Sequence, residues 1–129
     1  MVIFSMHRIK LVLFVTPWIF DFAAFDFWLK PLGLLSLAAL FRENGYAVSY
    51  LDCLLEGDGR DGVHGKRKRT GYGTGHFQKE AIEKPPVLAA FRRRYGRYGI
   101  SPDQFKRKLL DIPAPDMVLV TCMMTYWYP

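Results

Sequence analysis

Three consecutive segments limit what this chain can fold into: an apolar run at Ile9-Lys10-Leu11-Val12-Leu13-Phe14-Val15, a helix-period stretch from Leu32 to Glu43, and a second apolar run at Ala47-Val48-Ser49-Tyr50-Leu51. The first run is rich in branched residues and is closed by Thr16-Pro17, the pattern of a strand buried on both faces, as parallel sheets require. Pro31 opens the helix, Leu34, Leu35, Leu37, Ala38 and Phe41 give it an apolar stripe, and Asn44-Gly45 supplies a left-handed stop. The second strand ends at Asp52. A strand, helix and strand of these lengths predict a right-handed parallel crossover.

Further along, Glu56 to Gly75 is glycine-rich and charged without periodicity and reads as a long, flexible, basic surface loop. A short helix is expected from Phe77 to Glu83, before Lys84-Pro85-Pro86 breaks the chain. A better helix begins at Ser101: Ser101 and Gln104 stand at capping-box spacing, Pro102 takes the first helical position, and Phe105, Leu109 and Leu110 form the stripe that Pro113 and Pro115 end. Met117 to Cys122 is then a third strand. The order β-α-β-insertion-α-β predicts an α/β, Rossmann-like (flavodoxin-like) three-layer fold with a parallel sheet, in one domain spanning residues 1–129. In such sheets ligands meet the carboxyl ends of the strands where the strand order reverses. That directs attention to Thr16 to Lys30, to Asp52 onward, and to Thr121 to Pro129. The chain closes on Met124-Thr125-Tyr126-Trp127-Tyr128-Pro129, where an α/β protein would start its next helix, and so reads as a truncated fragment, the front part of something larger.

Composition fits this picture. The chain has 129 residues, half of them hydrophobic, which suffices for one core. Its net charge is +6, and the excess belongs to the middle: 14 of the 18 basic residues lie between Arg60 and Lys108, against the acids Asp61, Glu80, Glu83 and Asp103. Two cysteines, Cys53 and Cys122, each end an apolar run and suggest neither a disulfide framework nor a zinc ribbon. A reducing cytoplasm is the expected compartment. Arg8 and Lys10 ahead of Leu11–Val15 imitate a secretory signal, but Pro17 interrupts the run, Asp21 closes it, and no small-x-small cleavage site follows. No apolar stretch reaches the ~18 residues needed to span a bilayer.

Each chemical motif has a plainer reading beside it. Gly71-Tyr72-Gly73-Thr74-Gly75 follows a basic loop instead of a strand, so its amides have no reason to converge on a pyrophosphate. His7, His64, His76, Cys53 and Cys122 lie at no usual ligand interval, which leaves no metal site. No serine, histidine and carboxylate set stands out, so no catalytic residues are assigned. Lys66-Arg67-Lys68-Arg69 and Arg92-Arg93-Arg94 with Arg97 suit phosphates, with Tyr72, His76 and Phe77 near enough to stack on bases; a solvated loop is the plain alternative. Trp18, Phe20, Phe22, Phe25, Phe27 and Trp28 crowd the stretch after the first strand. Some of these must be core, but one loop in so small a domain does not bury all six. With Tyr126, Trp127 and Tyr128 they are expected to form an aromatic rim at the strand ends, a contact surface for a flat macrocycle, a neighbouring domain or a second copy of the fragment.

The chain resembles radical S-adenosylmethionine proteins that carry an N-terminal cobalamin-binding-like domain. The resemblance lies in Lys30-Pro31-Leu32-Gly33-Leu34, Leu37-Ala38-Ala39-Leu40, Glu43-Asn44-Gly45-Tyr46-Ala47-Val48 and Leu51-Asp52. It continues in Lys84-Pro85, Arg94-Tyr95-Gly96, Arg97-Tyr98-Gly99-Ile100, Pro115-Asp116 and the closing Met124 to Pro129. Two departures stand out. The Asp-x-His-x-x-Gly signature is absent, since Asp61-Gly62-Val63-His64-Gly65 has the wrong interval, and the Cys-x-x-x-Cys-x-x-Cys of a four-iron four-sulfur cluster is nowhere in the chain.

The resemblance implies an accessory cobalamin-binding-like domain, not catalytic on its own. It would sit against a radical barrel of the same protein, which would hold the S-adenosylmethionine and the iron–sulfur cluster. Topology and resemblance together nominate Thr16, Pro17, Leu32, Gly33, Asp52, Thr121, Met123 and Tyr126 to line the corrin face or the domain interface. The competing expectations are a nucleic-acid-binding module using the basic middle segment, and a docking domain that has lost its cofactor.

Overall fold

A computed structural model describes residues 9–27, 30–55 and 70–122. Three parallel strands form its centre: β1 (Leu11–Thr16), the strand Ala47–Asp52 and the strand Met117–Val120, with β1 in the middle. The expected third strand through Cys122 stops two residues short of it, and the first begins at Leu11 instead of Ile9. In chain order the elements are β1, β2 (Ile19–Asp21), β3 (Phe25–Asp26), α1 (Leu32–Glu43), β4 (Ala47–Asp52), β5 (Gly75–His76), β6 (Lys79–Ala81), a 3₁₀ turn (Pro86–Leu88), β7 (Gly96–Tyr98), α2 (Pro102–Leu110) and β8 (Met117–Val120).

Alternation along β1 sends its side chains to two cores. Val12 and Phe14 meet Leu34, Ala38 and Phe41 of α1, joined by Val48 from β4 and by Met117 and Leu119 from β8. Phe14 and Phe41 meet edge to face at 5.7 Å. On the opposite face Leu13 and Val15 join Leu51, Cys53 and Ile100, with Trp18, Phe105 of α2 and Ile112 packed against them. Sandwiched this way, β1 is buried nearly end to end, which explains why its sequence shows no polar alternation.

Local chemistry fixes both helices. At the end of α1, Tyr46 N donates to Phe41 O and Gly45 N to Arg42 O, both at 3.1 Å, and Gly45 holds φ at +84°. This is a Schellman stop, completed by the ring contact of Phe41 and Tyr46 at 5.1 Å. At the start of α2, Ser101 Oγ accepts from Gln104 N while Gln104 Oε1 accepts from Ser101 N, both at 3.1 Å, which is the expected capping box.

The segments between these elements form two small antiparallel sheets that the sequence did not predict. One has the order β2-β7-β6, and the other pairs β3 with β5. The helix expected over Phe77 to Glu83 is therefore corrected: Lys79–Ala81 is a strand paired with Gly96–Tyr98. Gly96 permits that approach, because a Cβ there would lie 2.8 Å from Glu80 O. The aromatics after β1 divide between packing and exposure. Trp18, Phe20, Phe22 and Phe25 are half-buried in or beside these sheets, Phe27 is 60 % exposed, and Trp28 lies outside the described residues. Most of the expected basic loop, residues 56–69, also lies outside them. Among the described residues no helix is long and apolar enough to cross a membrane.

Candidate functional site

Register brings polar groups together at the carboxyl ends of β1 and β4. Thr16 is paired with Asp52 and Phe14 with Tyr50, so Thr16, Tyr50 and Asp52 share the α1 side of the sheet. Thr16 is buried, and its hydroxyl lies 2.8 Å from the Tyr50 hydroxyl. Burial pushes the Tyr50 phenol above its ordinary range, and the Asp52 charge beside it adds to the rise. Asp52 is also buried and turns Oδ1 onto Leu54 N at 2.9 Å, closing the turn that follows the strand. Two hydroxyls and a carboxylate thus form one hydrogen-bonding group at the strand ends.

The other described nominees, Pro17, Thr121, Leu32 and Gly33, come from separate elements. Pro17 follows Thr16 directly and is half-buried. Thr121 N donates to Val15 O at 3.1 Å, which sets Thr121 beside the end of β1 on the β8 side. Leu32 is 72 % exposed at the first turn of α1, and nothing lies within 4 Å of where a Gly33 Cβ would stand. That helix has neither a side-chain cap nor an acidic residue in its first turn. Met123 and Tyr126 lie outside the described residues.

The sequence reading missed the roof over the β4 end. Ile100 N donates to Cys53 O at 2.8 Å, and Trp18 Nε1 donates to Ile100 O at 2.6 Å. The Trp18 ring lies against Phe105 at 4.9 Å. The insertion thus closes over the second strand while leaving the β1–β8 side to Thr16, Pro17 and Thr121. A glycine between two large apolar residues, Tyr98-Gly99-Ile100, was the available signal.

The remaining candidates separate cleanly. No group of three metal-ligating side chains occurs among the described residues. His76 sits in β5 with its ring 4.8 Å from Phe25. Burial pushes the Cys53 thiol up to about 12, which makes it inert at neutral pH. Gly71 to Gly75 is a turn leading into β5, held by Thr70 N to Thr74 O at 2.8 Å and by Gly73 N to Thr70 O at 2.9 Å. The Gly73 amide therefore serves the turn. Arg97 is committed to Glu80 and to the face of Trp18, 5.9 Å from the ring centre. The chain matches no protein-family model, no curated protein and no solved structure, so the functional reading rests on geometry and on the sequence resemblance.

Proposed function

We propose that the chain is an accessory cobalamin-binding-like domain of a radical S-adenosylmethionine enzyme, Rossmann-like and flavodoxin-like in architecture and without catalysis of its own. One observation carries the reading. The chain leaves β1 for a parallel neighbour on one side, β4, and returns to a parallel neighbour on the other, β8. Where connections depart in opposite directions, a crevice opens at the carboxyl ends of the strands, and ligands bind there. Thr16, Pro17 and Thr121 stand at that crevice.

The available donors suit the periphery of a corrin. An uncapped helix start beside Gly33 offers amide N–H groups to a carbonyl or phosphate oxygen. Thr16, Tyr50 and Asp52 add hydroxyl and carboxylate partners. A bound cobalamin would supply a cobalt able to carry an alkyl group, and Thr16, Tyr50, Asp52 and the helix start at Gly33 would hold its edge. Val118 and Val120, 50 % and 60 % exposed on β8, suit cover by such a companion domain.

Titration with hydroxocobalamin, followed by visible absorbance, tests this. A saturable spectral change at micromolar ligand is expected. A flat response to high micromolar concentration overturns the cofactor reading. The roof that Gly99 and Ile100 place over the end of β4 favours a second reading, a docking domain that has lost the cofactor. It requires the flat titration together with retained association with the barrel domain.

A further inference from the structure

We propose that Phe91-Arg92-Arg93-Arg94 is a docking site for single-stranded nucleic acid, independent of any cofactor at the sheet. Arg92, Arg93 and Arg94 are consecutive and exposed, and among the described residues none makes an ion pair or a hydrogen bond through its guanidinium. Arg97, three residues on, behaves oppositely, with its charge held by Glu80 and Trp18. The sequence alone grouped these four arginines. The fold divides them into one structural residue and three charges that no described acid pairs with.

Further cations meet the backbone at both ends of the run. Lys84 Nζ donates to Phe91 O, and Lys79 Nζ donates to Arg94 O at 3.2 Å and to Phe22 O at 3.3 Å. The two lysines therefore fix the backbone on either side of the arginines while adding positive charge next to them. Of the described acids nearby, Glu80 is taken by Arg97, and Asp21, paired in register with Gly96, lies beside Tyr95 and offsets only part of this charge. A local cluster of like charges favours a polyanion.

Phe91 supplies the second half of the site. Its ring is 55 % exposed, yet it is anchored by Phe22 at 5.6 Å, and Phe22 in turn by Tyr95 at 5.4 Å. A ring fixed from behind and open in front, next to guanidinium groups, provides a stacking platform and a phosphate grip within one short segment. Stacking needs an unpaired base, which selects a single strand over a duplex. A lipid surface fits less well, because the adjoining apolar element is the three-residue turn Pro86–Leu88, too short to lay an amphipathic helix on a bilayer.

The test uses the full chain and a fluorescein-labelled oligouridine of about 15 nucleotides, read by anisotropy across a salt series. Replacing Arg92, Arg93 and Arg94 by glutamine should weaken binding at least about tenfold and flatten the log–log salt slope by about 2, at ~0.7 for each phosphate no longer neutralised. A charge-matched control with Lys106→Gln, Arg107→Gln and Lys108→Gln on α2 should change affinity less than about twofold if the site is local. Phe91→Leu should cost about fivefold or more and leave the salt slope in place. Equal losses in the two triple variants, an unaffected Phe91→Leu, or arginine-dependent binding to phosphatidylserine vesicles without oligouridine binding would each overturn the proposal.

Discussion

Gly99 rests directly against the backbone of Cys53: a Cβ on Gly99 would fall 2.1 Å from the Cys53 carbonyl oxygen, and Gly99 holds φ at +123°. This approach joins the insertion to the end of β4, and only a residue without a side chain can make it. Gly99→Ala must shift the backbone and accept strain, so it should lose roughly 3 kcal/mol of stability. Urea unfolding followed by circular dichroism gives the value, and an unchanged midpoint would mean that the junction yields freely.

Trp18 holds the same junction from the other side. Trp18→Phe keeps an aromatic ring against Phe105 but removes the N–H that donates to Ile100 O. A half-buried carbonyl left without its donor should cost about 1–2 kcal/mol, seen as an earlier thermal transition. Trp18→Leu should cost more, because the ring stacking goes as well.

Thiol chemistry should separate the two cysteines. Cys53 is buried and its thiol is pushed up to about 12, first by burial and then by the Asp52 charge, whereas Cys122 is exposed. At pH 8 a disulfide reagent should label Cys122 quickly in the folded chain and Cys53 only after denaturation. The same shift makes stability depend on pH. A pKa raised by folding contributes fully below the unfolded thiol value of 9.0 and is lost as pH climbs through about 12. Tyr50 and Tyr95 are raised in the same direction, both chiefly by burial. Unfolding midpoints should therefore fall above pH 9, and Cys53→Ala should lessen the slope.

Asp116 clasps the start of β1: its Oδ2 accepts Lys10 N at 2.8 Å and Leu11 N at 2.9 Å. Asp116→Ala should free both amides, lower stability by about 1–2 kcal/mol, and accelerate hydrogen exchange at Lys10 and Leu11 ahead of the rest of the strand.

Ser101→Ala removes the oxygen that accepts from Gln104 N and leaves half a capping box. A loss of about 1 kcal/mol is expected. Ser101→Asp, which can still accept at that position, should restore it.

What the sequence made legible is the part governed by local rules. The doubly buried run before Thr16, the stripe ending at Asn44-Gly45 and the Ser101–Gln104 box each carry their own signal, and α1 spans the predicted residues. The small sheets were invisible because their pairings join distant positions, such as Ile19 with Tyr98 and Phe25 with His76, in strands of two or three residues. Periodicity cannot register in so short a span. The same pairing overrode the helical composition of Lys79 to Ala81. At the candidate site, Thr16 and Asp52 could be located because strand ends are marked by Pro17 and by the turn after Asp52. Tyr50 was missed as the partner of Thr16, although its position two residues before Asp52 sets both on one face.

The central placement of β1 also bears on how the chain acquires its structure. One flank is completed by β4, reached after a single helix, but the other waits for β8, and the clasp from Asp116 to Lys10 closes over 106 positions. Pairing across such a separation carries a large loop-closure entropy and slows folding. During synthesis, β1, α1 and β4 are ready to associate while one side of β1 still offers bare amides and carbonyls. A nascent chain paused before Asp116 would be open to pairing with a stray strand, and this protein should refold slowly and with a concentration-dependent yield.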